Sequence, residues 1–170
     1  VGIIAGSVYD DVSVYNSGDI DATSRNGNAY GVYATSVYGD VSVDNYGGTI
    51  SASARGYAIG IYASSIYGTV SIENSGDISA YSYAGFAAGI NASSVFGDVN
   101  ITSAGGDIST NSAYGQAIGI AAFSINYDVN IDNSSNITAN SPDAGAYGMF
   151  ARASNGSVTI NNDGNLDVDS

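Results

Sequence analysis

The chain has no cysteine, no histidine, no lysine and no tryptophan, and only one proline, one methionine and one leucine in 170 residues. Without His, Cys or Lys, the usual pairings of a nucleophile with a base are missing. Three scattered arginines (Arg25, Arg55, Arg152) stand against sixteen acidic residues and leave a net charge of −13. A surface that neutralises phosphates needs clustered Lys and Arg, so nucleic acid is excluded as a partner, and anionic membrane surfaces with it. No apolar run approaches the ~20 residues of a membrane span, which excludes membrane insertion by a helix. The start, Val1-Gly2-Ile3-Ile4-Ala5, carries no basic leader, so any export signal lies outside this sequence or has been removed. Lack of Cys is compatible with bacterial secretion and withholds the staple that small secreted folds usually need. A chain poor in Leu and Lys and rich in β-branched residues is badly suited to helices.

What is present is orderly. There are 23 Gly and 14 Tyr, and 44% of residues are hydrophobic. Those hydrophobics recur at a fixed interval, which disorder would not require. Glycines preceding an aliphatic residue fall at Gly2, Gly31, Gly60, Gly89, Gly119 and Gly148. Directly after them come Ile3, Val32, Ile61, Ile90, Ile120 and Met149, then Ala two further on, then Ser7, Ser36, Ser65, Ser94 and Ser124, with Ala153 breaking the column. A second run places Val12, Val41, Val70, Val99, Val129 and Val158 in one column and Val14, Val43, Ile72, Ile101, Ile131 and Ile160 in the next. A third runs through Ile20, Ile50, Ile78, Ile108, Ile137 and Leu166. The extra residues in Gly47-Gly48 and Gly105-Gly106 sit at the second corner, where a turn absorbs a change of length.

Each unit of 29–30 residues therefore holds three runs of period two separated by Gly/Asp/Asn/Ser corners. Alternation turns each V-x-A-x-S, V-x-I-x-N and I-x-A-x-S set to one face of a strand. The reading is all-β: one parallel β-solenoid domain over 1–170, three strands per coil, with coils at approximately 1–28, 29–57, 58–86, 87–116, 117–145 and 146–170. At ~4.8 Å per coil the rod is about 29 Å long. An isolated coil cannot offset the entropy of ordering its backbone, so stability must accumulate by stacking.

Asn16, Asn45, Asn74, Asn133 and Asn162 form a column in which each amide can bond the one above and the one below, and Ser103 interrupts it at a point of expected weakness. The alternative is that Asn merely suits the turn after it. Asp11, Asp40, Asp98 and Asp128 form an acidic column, and Asp19, Asp77 and Asp107 belong to another. Stacked like charges repel, and Ca²⁺ could relieve them, which makes the first column a candidate calcium site. The Gly-Gly-x-Gly-x-Asp pattern of calcium-binding rolls is missing, and exposed acids that keep a rod soluble are the simpler account. No other cofactor is expected. A catalytic carboxylate pair would break the repeat at one place, and these acids obey it, so no enzyme is expected. Tyr9, Tyr38, Tyr67 and Phe96 share one corner, and Tyr33 and Tyr62 one outward position. They stack between coils or offer a surface to sugar rings or to a neighbouring rod.

The stretches Ala29–Ser36, Ala58–Ser65 and Gly68–Ala80 resemble repeats in the β-helical passenger regions of bacterial autotransporters and related large surface adhesins. The resemblance covers the whole chain and concerns repeat style. It implies a right-handed parallel β-helix, export, and display outside the bacterial cell. It carries no fixed catalytic motif, so no functional residue transfers.

Neither end shows a capping helix or charged plug. The chain is expected to be a segment of a longer solenoid or a subunit stacking head to tail on copies of itself. Two functions compete: a non-enzymatic extracellular rod (stalk, adhesin segment or fibre subunit) that contacts surface glycans or other cells, and a β-helix that binds or cleaves polysaccharide.

Overall fold

β-branched side chains at alternate positions favour extended backbone, and the chain forms eighteen short strands, three in each of six coils. The computed structural model describes residues 1–170 and contains no helix. The first strands of the coils make one six-stranded parallel sheet, here sheet 1; the second and third strands make sheets 2 and 3. In sheet 2, Val12 pairs with Val41, Val41 with Val70, Val70 with Val99, Val99 with Val129 and Val129 with Val158. Sheet 3 stacks Ile20, Ile50, Ile78, Ile108, Ile137 and Leu166 in the same way. The result is a β-solenoid in which like residue lies over like.

Sheet 1 departs from the expected length. Its strands in coils two to six have eight residues, as in Ala29–Ser36 and Ala58–Ser65, because they begin before the anchor glycine. Two adjacent buried positions, Gly31 and Val32, mark a change of phase inside the strand. The glycine is required by a close approach. A Cβ at Gly31, Gly60, Gly89 or Gly119 would collide with the Cγ2 methyl of Ile50, Ile78, Ile108 or Ile137 from sheet 3 and with the glycine carbonyl of the next coil. Upstream of it, Ala29, Ala58 and Ala87 pack with Ala22, Ala52, Ala54 and Ala80 in a small second core. The main core joins the aliphatic columns of all three sheets, with Ile50, Ile61, Ile72, Ile78 and Ile90 fully buried.

Corner backbone continues the stacking: Val12 N donates to Asp40 O at 2.8 Å and Val41 N to Thr69 O at 2.9 Å. The two longer corners are closed by Gly47 and Gly105, the only residues with positive φ (83° and 118°). Interior side chains are covered by the following coil. Val14 in the first coil is 5% exposed, whereas Ile160 in the last is 43% exposed.

Candidate functional site: polar corners and the outer face of sheet 1

Most corners turn a polar side chain inward, where it must find partners; Ala54 and Ala153 are the exceptions. At the corner after sheet 1, Ser65 Oγ donates to Gly39 O of the preceding coil (2.8 Å) and accepts from Gly68 N (2.9 Å). Ser36 does the same with Asp10 O and Gly39 N. At the corner after sheet 3, Ser112 donates to Gly85 O (2.7 Å) and accepts from Gly115 N (2.9 Å). One hydroxyl thus closes a turn and ties it to the coil before.

Asparagine does this at the corner after sheet 2. Asn16 Nδ2 donates to Asn45 Oδ1 and Asn45 Nδ2 to Asn74 Oδ1, both at 2.8 Å, and Asn133 Nδ2 to Asn162 Oδ1 at 2.7 Å. The second amide proton goes to a turn carbonyl, as from Asn74 to Gly76 O (2.8 Å). Between Asn74 and Asn133 stands Ser103. It accepts from Asn74 Nδ2 at 3.3 Å, and Asn133 Oδ1 is left buried with no partner.

The acidic columns are built for a backbone group. Asp11 Oδ1 accepts from Asp40 N (2.8 Å), Asp40 Oδ1 from Thr69 N (2.7 Å), Asp98 Oδ1 from Asp128 N (3.0 Å) and Asp128 Oδ1 from Ser157 N (2.7 Å). Asp19 and Asp77 hold Thr49 N and Asp107 N in the same way. No coil contributes more than one carboxylate to either column, Thr69 and Ser157 interrupt the first, and no group of three acidic side chains is placed to hold a metal ion. An available signal was that these columns hold only short polar side chains, Asp, Asn, Thr and Ser, whose reach suits a neighbouring backbone amide.

Aromatic side chains follow two arrangements. Tyr9, Tyr38, Tyr67 and Phe96 stack face to face at 5.5, 5.0 and 5.2 Å between centroids, so their faces cover one another and their edges meet solvent. On the outer face of sheet 1 the columns do not repeat. One runs Tyr30, Ile59, Ala88, Ile118, Tyr147; the next runs Ile4, Tyr33, Tyr62, Asn91, Ala121, Phe150; the third runs Gly6, Thr35, Ser64, Ser93, Phe123, Arg152. Two aromatic groups result. Tyr33 stacks on Tyr62 at 4.9 Å with Tyr30 edge-on to both, and Phe150 meets Phe123 at 5.5 Å and Tyr147 at 5.9 Å. Burial pushes the Tyr30 phenol above its ordinary pKa, against a hydrogen bond with Asn28 that lowers it. The sequence reading placed only Tyr33 and Tyr62 on this face.

No protein-family model matches the chain, and comparison with curated proteins and with solved structures returns no significant match.

Proposed function

We propose that the chain is a non-enzymatic structural segment of an extracellular β-solenoid, displayed at a bacterial surface as part of a stalk or adhesin, or assembled as a fibre subunit. The observation that carries this reading is that the repeating polar columns spend their hydrogen-bonding groups inside the rod. Corner Ser, Asn and Asp side chains each bond to the next or preceding coil, which leaves the regular corners as joints. The autotransporter-like repeat style supports export and display. In the fibre-subunit form, parallel strands of one copy would continue the three sheets of the next, strand upon strand.

Antibody labelling of intact source cells tests the display. Label on unbroken cells is expected, and label only after lysis overturns it. Sedimentation of the purified chain across a range of concentrations tests the fibre-subunit form: species growing in steps of one chain are expected, and a monomer throughout overturns that form.

A further inference from the structure

The place where the molecule abandons its own repeat is the outer face of sheet 1. Sheets 2 and 3 turn mostly small polar and acidic residues outward, such as Ser42 and Asp44, or Ser109 and Asn111, with one tyrosine each, Tyr15 and Tyr81. Sheet 1 turns out aromatic rings, and between them lies an open hollow of about 390 Å³. Its walls are Phe86, Phe123, Tyr147 and Phe150, with the amides of Asn91 and Gln116 among them. Ile118 completes the lining, and Ala88 and Ala121, in the adjacent column positions, are fully buried. Neither Asp, Glu nor Arg lines the hollow, although the chain carries a net charge of −13.

We propose that this hollow binds a neutral glycan chain. Aromatic rings offer flat apolar surface to the C–H faces of sugar rings, and phenol and amide groups supply the few directed hydrogen bonds that fix orientation. Asn91 and Gln116 are suited to hydroxyls because each amide both donates and accepts. Some amides elsewhere on the surface are spent within the rod, as Asn136 is on Asp107 and Asn155 on Asn126; those of Asn91 and Gln116 stand among aromatic rings. Charge excludes the main alternatives. An anionic polysaccharide, or a second copy of this chain laid face to face, would bring like charge against a strongly acidic rod. Length agrees too: Tyr62 and Phe150 are three strands apart, about 14 Å, so the hollow and the tyrosine group beyond it lie along one line across the strands. This adds a binding surface to the rod proposed above and does not depend on end-to-end stacking.

The repeat itself supplies the test variants. Phe123→Ser, Phe150→Ala and Tyr147→Ala install residues that other coils carry in the same columns: Ser93, Ala121 and Ala88. Binding of the full chain to mannan, dextran, laminarin and xyloglucan, with polygalacturonate as the anionic control, is read by calorimetry and affinity electrophoresis. Binding of at least one neutral polysaccharide is expected, insensitive to added salt and weakened about tenfold or more in the triple variant. Tyr38→Ser, in the corner ladder, should bind as the parent does. If the triple variant melts early, Asn91→Ala, which copies Ala121, reads the polar contact alone and should also weaken binding. Failure of every neutral polysaccharide to bind, tighter binding of polygalacturonate, or unchanged binding in both hollow variants overturns the proposal. So does self-association that the triple substitution abolishes, because the face is then a contact between copies. Stacking through end coils would survive these substitutions, so the two proposals fail separately.

Discussion

Ser103 and Ser135 hold each other across one coil boundary, Oγ to Oγ at 2.9 Å. Ser103 stands where the other five coils have Asn, and Ser135 where coils one, three and six have Gly18, Gly76 and Gly164. These are one paired change. A Cβ at Gly76 would press on Asn45 Nδ2 at 2.8 Å, and a Cβ at Gly164 on Asn133 Nδ2 at 3.1 Å. Below Ser135 the coil offers only the shorter Ser103, so that particular crowding is relieved. Ser103→Asn alone is expected to crowd Ser135 and lose about 1–3 kcal/mol. Combined with Ser135→Gly, it should rebuild the amide ladder, give Asn133 Oδ1 a donor, and exceed the parent by about 1 kcal/mol. Urea titration of both single variants and the double gives the coupling. Simple additivity would contradict the pairing.

Glycine matters unequally around the coil. Gly60→Ala would set a methyl against Ile78 Cγ2 and Gly89 O, neither of which can retreat without moving a strand. A loss of about 2–3 kcal/mol is expected. Gly18→Ala meets nothing within 4 Å and should change stability by less than about 0.5 kcal/mol. Thermal unfolding of the two variants side by side checks the contrast.

The acidic columns act as acceptors. Asp40→Ala removes the partner of Thr69 N and should cost about 0.5–1 kcal/mol at this exposed corner. Asp40→Asn keeps an acceptor oxygen, as Asn28 does for Tyr57 N at 2.9 Å, and should cost little. Chelation with EDTA should leave the melting temperature unchanged, because the columns' carboxylates already hold amides. A fall on chelation would support the calcium reading of Asp11, Asp40, Asp98 and Asp128.

Tyr30 ties stability to alkaline pH. Its phenol is raised by burial, so the folded state keeps the proton after the unfolded chain has released it. The stabilisation is complete below pH ~10, the ordinary tyrosine value, and is lost as pH climbs through the raised value. Spectrophotometric titration of the parent against Tyr30→Phe should remove a component from the top of the curve. Loss of a component near pH ~10 would contradict the burial argument.

The aliphatic columns were legible because a buried position meets the same neighbours in every coil, so a constant period suffices to find it. Val12 through Val158 needed nothing more. Ala29 and Ala58 were not read as strand because glycine commonly marks a weak point or boundary in a strand. Here it lies inside the strand, held there by an isoleucine about nineteen residues further along the same coil. The duty of Asp40 was hidden for another reason: its partner is a backbone amide, which every residue type carries and composition cannot reveal. The hollow was missed because periodicity draws attention to what repeats. Phe123, Tyr147 and Phe150 mean little singly and become a surface only once sheet 1 lays them side by side.

Strand contacts run only within a coil or between adjacent coils; no strand touches one two turns away. The architecture therefore keeps no tally of its own extent. Whole turns can be duplicated or deleted by recombination while each survivor still meets the kind of neighbour it had. Reach can thus change in steps of one turn under selection, while the hollow, which belongs to a few particular turns, stays put or is copied along with them.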